Sequence, residues 1–396
     1  MTEPITLRLR PHEERRLLAG HLWIFSNEVD ISATPLTGFQ PGQVVTVRSS
    51  RDRFMGYAYV NPRTLIAARL LSRDPAHMPG QPLLVHRLKL ALALRERVLG
   101  SPFYRLVHGE GDLLPGLVVD RYGPVCVAQA GTAGMDVMKP WVAEALKRVA
   151  GIESLLWRND TGARELEGLP SVVEPGLGEV PEAITLEEGG VRFRVPLLAG
   201  QKTGWFFDQR ANRAAFARLA DGRSVLDVCC YLGGFGLQAA RAGATAVTCV
   251  DASATALASV RASAADNGLT VETLESDAFE ALAALHAEGR RFDMIVLDPP
   301  AFIKRRKDLG RGLAAYRKLN QLALRLLSRD GLLMSCSCSM HLEEAALLEA
   351  VQRAARSAGR HAQALSFGGQ DVDHPVHPAI AETRYLKAIL FRISGE

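Results

Sequence analysis

The chain has few cysteines for its length, and what they lack in spacing is as informative as their number. Cys126, Cys229, Cys230, Cys249, Cys336 and Cys338 are the six among 396 residues, and none form Cys-x-x-Cys pairs. A disulfide framework and a zinc site are therefore not expected, and the thiols read as free. Long apolar runs are also missing: the stretch Leu83 to Leu92 is broken by charge well before the roughly 18 to 20 residues that would span a bilayer, so no membrane association is expected. The start carries Glu3 and early arginines with no apolar stretch behind them, which reads as a chain without a secretory leader and makes the cytoplasm the expected compartment. Net charge is only +4, which permits nucleic-acid binding without establishing it.

What is present is ordinary globular composition, 47% hydrophobic and 23% charged, over a length that exceeds one core. Short β-branched or apolar runs (Gln43 to Arg48, Phe54 to Val60, Leu65 to Leu70) punctuated by Gly and Pro predict a small β-rich domain over 1–76, with one short helix near Glu13 to Ala19. A linker rich in Pro and Gly, Asp74 to Gln81, closes it. An α+β middle domain is expected over 80–198. It opens on an amphipathic helix from Pro82 to Val98, holds a second helix from Met135 to Val149, and ends near a hairpin at 184–195 turning at Gly189-Gly190. From residue 199 to 396 the pattern becomes strand, helix, strand, helix. That alternation predicts a parallel α/β sheet of Rossmann type, with ligands at the carboxyl ends of its strands.

The first of those strands leads into Leu226-Asp227-Val-Cys-Cys-Tyr231-Leu-Gly233-Gly234-Phe-Gly236. A dinucleotide fingerprint would place glycines directly after the strand to receive a pyrophosphate; here an acid comes first. A carboxylate beside a glycine turn repels phosphate but suits a ligand carrying an amino group and a sulfonium, which S-adenosylmethionine presents. The second strand ends in Asp251, placed to accept from ribose hydroxyls, and the third near Asp277-Ala-Phe279, placed to accept from an adenine amine. Any one of these could be a solvated loop acid. In series they are the pattern of class I methyltransferases.

The fourth strand ends in Asp298-Pro299-Pro300-Ala301-Phe302, where two prolines stiffen a loop whose carboxylate and aromatic ring suit the edge and face of a flat base. This is similar to the Asp/Asn-Pro-Pro-aromatic motif of enzymes that methylate nucleobases, glutamine or small aromatics. The fifth strand runs into Ser335-Cys336-Ser337-Cys338-Ser339. A thiolate there could add to carbon 6 of a pyrimidine and make carbon 5 nucleophilic, with Cys338 the first choice and Cys336 the fallback. Cysteines at strand ends are mostly small buried residues, and the other four are assigned to that class. The basic run Lys304-Arg305-Arg306-Lys307, followed by Arg311 and Arg317-Lys318, is placed to hold phosphates, although such runs also serve as solvated helix faces. Arg8, Arg10, Arg15 and Arg16, near Trp23 and Phe25, form a second basic group in the first domain.

The series of motifs resembles the bacterial 23S ribosomal RNA cytosine-5 methyltransferases that join a PUA domain, a small middle domain and a class I methyltransferase domain. Its markers are Gly20-His-Leu-Trp-Ile-Phe25, Arg105 to Gly116, Gly200 to Arg210, Asp298 to Phe302, Ser337-Cys338-Ser339 and Asp373-His374-Pro375. The resemblance implies 5-methylcytosine formation in 23S RNA or an assembling large subunit, with Cys338 as nucleophile and Asp298 beside it. It implies a cofactor held by Gln209, Asp227, Tyr231, Gly233, Gly234, Asp251, Asp277 and Asp298, while the residues themselves place RNA against Pro299, Pro300, Phe302 and Lys304 to Lys307. No metal is implied, and a homodimer is left open. Related enzymes carry a second cysteine in the fourth-strand motif. Here Ala301 and Phe302 stand there, so the group that removes the carbon-5 proton is unassigned, with His341 and His374 as candidates. Two other readings stay open: a methyltransferase acting on an exocyclic amine or a protein side chain with Cys338 inert, and a PUA-type binding module with a vestigial catalytic domain.

Overall fold

The computed structural model describes residues 4–395; residues 1–3, which include Glu3, and residue 396 lie outside it. The first sheet is built from β1 (Thr6–Arg8), β2 (Trp23–Phe25), β3 (Val44–Arg48), β4 (Phe54–Val60) and β5 (Ile66–Ser72), in the order β1-β3-β4-β5-β2. β1 runs parallel to β3 and the other pairs are antiparallel. Leu7, Ile24, Val45, Val47, Ala58 and Leu70 fill its core. The helix expected near residues 13–19 is the single turn α1 (Arg15–Leu18).

A second sheet follows the long helix α2 (Gln81–Val98). Its strands are β6 (Phe103–His108), β7 (Leu117–Tyr122), β8 (Val125–Ala130), β9 (Ser154–Asn159) and β10 (Val172–Leu177), in sequential order reversed. The helix expected from Met135 to Val149 is two, α3 (Ala133–Val137) and α4 (Lys139–Ala150). Pro140 in the first turn of α4 has no N–H to continue α3 and marks the break. α5 (Gly162–Glu167) closes this region. One apolar cluster joins Tyr59 and Leu71 of the first sheet to Leu106 and Val119 of the second and to Leu84 of α2 and Leu146 of α4. Glu167 ties the same junction with polar bonds: it pairs with Arg69 at 2.8 Å and accepts from Asn61 Nδ2 at 2.8 Å.

The hairpin β11 (Ala183–Glu188) and β12 (Val191–Pro196) turns at Gly189-Gly190, both at positive φ. It is followed by α6 (Arg210–Ala217) and a seven-stranded sheet. The strands are β13 (Ser224–Val228), β14 (Ala246–Asp251), β15 (Glu272–Glu275), β16 (Phe292–Leu297), β17 (Leu327–Ser337), β18 (Arg360–Gly368) and β19 (Lys387–Gly395). The helices are α7 (Gly234–Arg241), α8 (Ala254–Asp266), α9 (Ala278–Ala287), α10 (Leu309–Leu326) and α11 (Glu344–Ser357). Strand order is β15-β14-β13-β16-β17-β19-β18, parallel except for β19, which is antiparallel to both neighbours. The order reverses between β13 and β16, so the crevice beyond their carboxyl ends is where an open α/β sheet binds its ligand.

The chain forms two compact units whose limits differ from those read in the sequence. One holds residues up to Glu182 with Pro196–Trp205 and Val372–Thr383; the other holds Ala183–Val195, Phe206–Asp371 and Arg384–Glu396. The hairpin expected in the middle domain belongs to the second unit, where Glu188 pairs with Arg213 at 2.6 Å and Arg194 with Asp266 at 2.7 Å. Conversely, residues past 196 stay with the first unit because Arg158 donates to Leu197 O and Gly200 O. Residues 372–383 return to it as well: Arg95, fully buried, donates to Asp373 O at 2.7 Å, and Asp373 Oδ2 accepts from Arg105 N.

Candidate functional site

Asp227 lies in β13, fully buried, one residue before the strand ends. Its Oδ2 accepts from Gly236 N at 2.8 Å, while Oδ1 has no hydrogen-bond partner. Burial pushes its carboxyl up to about 7, and the charges of Asp298 and Asp251 add to the shift while the Gly236 N–H opposes it. A buried carboxylate with one oxygen unsatisfied and like charges around it needs a cation or donor for company.

The turn that follows is built to approach a ligand closely. Cys229 and Tyr231 adopt positive φ (62° and 50°), a conformation costly for residues with side chains, and Gly233 joins them at 75° before α7 begins. Asp251, at the tip of β14, holds this turn: its Oδ2 accepts from Tyr231 N at 2.8 Å and its Oδ1 from Ser253 N at 2.9 Å. No side chain fits at Gly236, where a Cβ would stand 2.6 Å from Cys249 Sγ and 3.2 Å from Asp227 Oδ2. Phe206 packs edge-on against Tyr231, with ring centroids 5.3 Å apart.

Asp277 is exposed and caps α9, its Oδ1 accepting from Phe279 N at 2.8 Å. Its helix-capping role does not remove it from the cluster. The half-buried Cys229 thiol is held well above its usual range by burial and then by the charges of Asp298, Asp251, Asp227 and Asp277, so all four carboxylates share one neighbourhood. Gln209 is buried beside this sheet and accepts from Asn212 Nδ2 at 2.7 Å. Asp208 bonds Tyr385 OH at 2.5 Å, and Arg210 pairs with Asp371 at 3.3 Å, bracing the segment before α6.

These features fit S-adenosylmethionine on chemical grounds. The unpartnered Oδ1 of Asp227 offers a site for its amino group, the glycine turn accommodates its bulk against backbone, and the acids along the strand tips offer acceptors to a nucleoside.

On the other side of the strand crossover, Asp298 follows β16 directly and its N–H bonds Val228 O at 3.2 Å. Pro299 is buried and Pro300 exposed. Phe302 packs on Tyr316 of α10 (centroids 4.8 Å) and faces Phe279 at 6.1 Å. β17 ends at Ser337, so Cys336 is inside the strand, fully buried with its thiol pushed well up by that burial, whereas Cys338 lies one residue past the strand and is partly exposed. Geometry thus favours Cys338 over the fallback Cys336 as an accessible thiol.

The sequence reading missed the frame around Cys338. Tyr316 OH bonds the hydroxyls of Ser337 (2.7 Å) and Ser339 (2.9 Å), and Ser339 Oγ accepts from Ile303 N at 3.2 Å, which ties the Asp-Pro-Pro loop to the cysteine turn. Lys387 of β19 donates to Ser339 O and Tyr385 O. The signal available in the sequence was weak: one lysine opening the apolar run Lys387 to Phe391, and serines flanking each cysteine.

Lys304, Arg305, Arg306 and Lys307 are all exposed, and Arg311 is tied to Asp308 at 3.1 Å. Of Arg8, Arg10, Arg15 and Arg16, Arg8 pairs with Asp52 and Arg16 with Glu28. Trp23 packs against the core of the first sheet and donates from Nε1 to Glu110. His374 belongs to the first unit, bonded through Nδ1 to Asp373 and ring to ring with His108. Among the described residues there is no group of three or more side chains placed to hold a metal ion, and no helix long and apolar enough to cross a membrane.

Comparison with known proteins agrees with the two halves of this description. Residues 7–73 match the family of PUA-like domains and residues 169–392 the family of S-adenosylmethionine-dependent methyltransferases. Among solved structures, a candidate methyltransferase from Streptococcus mutans superposes with a TM-score of 0.82 at 22% identity, covering 98% of this chain and all of that one. A candidate methyltransferase complexed with SAH gives 0.83 at 22% identity over the same shares. At that identity the likeness establishes the fold: an N-terminal PUA domain, a middle region and a C-terminal class I methyltransferase domain. Closer in sequence are proteins named Ribosomal RNA large subunit methyltransferase I, from Shewanella denitrificans (36% identical, covering 98% of this chain and 99% of that one) and from Photobacterium profundum (34%, 94% and 96%). With that identity over nearly its whole length, the chain belongs to the Ribosomal RNA large subunit methyltransferase I family, whose cofactor is S-adenosylmethionine.

Proposed function

We propose that the protein methylates carbon 5 of a cytosine in 23S ribosomal RNA, free or within an assembling large subunit, through a covalent bond from Cys338 to carbon 6. The observation that carries this reading is the partly exposed Cys338, past the end of β17, hydrogen-bonded through its neighbour Ser339 to the Asp298-Pro299-Pro300 loop at the crevice of a methyltransferase sheet. The names of the relatives support large-subunit RNA as the substrate.

S-adenosylmethionine, when bound, would supply the methyl group and leave as S-adenosylhomocysteine, the electron pair of the broken S–CH3 bond staying on sulfur. Asp227 would receive its amino group, Asp251 its ribose and Asp277 its adenine, with Gln209, Tyr231, Gly233, Gly234 and Asp298 lining the same pocket. Pro299, Pro300 and Phe302 would seat the base, and Lys304, Arg305, Arg306 and Lys307 the flanking phosphates. In the reaction the Cys338 thiolate forms the S–C6 bond, the electron pair moves to carbon 5, and that carbon takes the methyl group. Loss of the carbon-5 proton then returns the pair to the ring and breaks the S–C6 bond. The PUA-like domain at residues 7–73 would add further RNA contacts.

Bisulfite sequencing of 23S RNA from cells with and without the gene tests this directly. One cytosine protected from conversion only when the gene is present is the expected result; identical maps refute the reading.

A further inference from the structure

A lysine inside a protein core requires an explanation, since the ammonium group is seldom taken out of water without a partner. Lys387 is 6% exposed at the start of β19, paired in register with Ser337. Its ammonium is held by two backbone carbonyls, Ser339 O at 2.6 Å and Tyr385 O at 2.7 Å, rather than by a carboxylate. The accepting carbonyl at Ser339 belongs to the residue directly after Cys338. A full positive charge is therefore fixed, by two hydrogen bonds and a sheet register, within one residue of the thiol proposed as nucleophile.

We infer that Lys387 is a positioning residue that pins the turn carrying Cys338 and holds its sulfur in the thiolate form. The inference rests on the covalent reading above for its purpose, though not for its measurement. An ammonium next to a thiol favours the charged sulfur: the proton leaves Sγ for water, the lysine keeps its three, and the pair is held as opposite charges. The interaction is mutual. Burial is the main cause that lowers Lys387 to about 8, with the charge of Cys338 opposing it. At neutral pH the lysine is accordingly still cationic.

Other groups act on the same turn. Tyr316 approaches from α10 through Ser337 and Ser339 and is itself held above its usual range, burial being the main cause. Arg384 lowers and Glu344 of α11 raises the lysine, and these two pair with each other at 3.4 Å, so their effects offset. Cys336 lies two residues back in β17 and Asp298 just past the neighbouring β16, and an ionised Asp298 opposes a thiolate. Lys387 is the cation bonded to the turn itself.

The test is the pH profile of Cys338 alkylation by iodoacetamide in the full-length protein, followed at that residue by peptide mass spectrometry. It is run on wild type, Lys387→Met and Lys387→Arg. The methionine variant should raise the midpoint by about one unit, which makes alkylation at pH 7 about tenfold slower, while arginine restores most of the difference. Coinciding midpoints in wild type and Lys387→Met, or an arginine variant no better than methionine, overturn the inference. Should Lys387→Met fail to fold, the wild-type profile decides alone: a midpoint well below the free-thiol value of about 8.5 supports the role, and one at or above it overturns it. Full methylation by Cys338→Ala would defeat the covalent reading separately, without altering the alkylation profile of the native cysteine.

Discussion

Asp227→Asn gives opposite effects on stability and on cofactor binding, and the structure supplies the size of the first. The carboxyl is fully buried and raised from 3.8 to about 7, a difference of roughly 3 units, or about 4 kcal/mol at 1.36 kcal/mol per unit. Because the folded-state value is the higher one, the folded protein binds more protons than the unfolded chain between these limits. Stability is retained below pH 4 and lost progressively as pH rises toward 7. By pH 8 wild type carries nearly the whole penalty; at pH 5 it carries about 1 to 2 kcal/mol. The amide has no such titration, although its Nδ2 takes the place of the unpartnered Oδ1 and costs about 1–3 kcal/mol as an unsatisfied donor. Urea denaturation of the cofactor-free protein should therefore find the advantage of Asp227→Asn over wild type growing by about 3 kcal/mol from pH 5 to pH 8. Calorimetric titration should find S-adenosylmethionine affinity reduced at least tenfold, as the negative charge facing the amino group is gone. A stability difference independent of pH would refute the buried-charge argument, and unchanged affinity would refute the assignment of Asp227 to the cofactor.

Cys338→Ala should abolish methyl transfer, measured with labelled cofactor, and leave cofactor affinity within about twofold, since the thiol is no part of the Asp227 turn; full activity would sink the covalent mechanism. Changing Lys304, Arg305, Arg306 and Lys307 to glutamine should weaken RNA binding in a filter assay and lower the salt slope by up to about 3–4, at roughly 0.7–0.9 for each phosphate no longer neutralised; an unchanged slope removes that segment from the RNA site. Gly236→Ala should cost about 1–3 kcal/mol in thermal or urea unfolding and impair cofactor binding, because its Cβ would meet Cys249 Sγ at 2.6 Å in a packed interior; a variant with native stability would show that the turn yields.

The sequence determined the class of the second unit, because the alternation of strand and helix and the acids at strand ends are local patterns that a single pass along the chain displays. Asp227, Asp251 and Asp298 stand at strand tips as their spacing requires, and the hairpin turns at Gly189-Gly190, where two glycines permit positive φ. What the sequence could not determine was which pieces share a core. The hairpin joins the later unit through Arg213 and Asp266, and Asp373 returns 268 residues along the chain to meet Arg105 N; such pairings depend on hydrogen bonds between residues with no local relation. Tertiary structure also decided the character of the thiols. Cys336 and Cys338 look alike in a Ser-Cys-Ser-Cys-Ser run, yet β17 ends between them, leaving one in the core and the other accessible beside a buried lysine that arrives from a strand about fifty residues later. Burial and charge belong to the packed state, so the chemistry of a cysteine is legible only once its neighbours are in place.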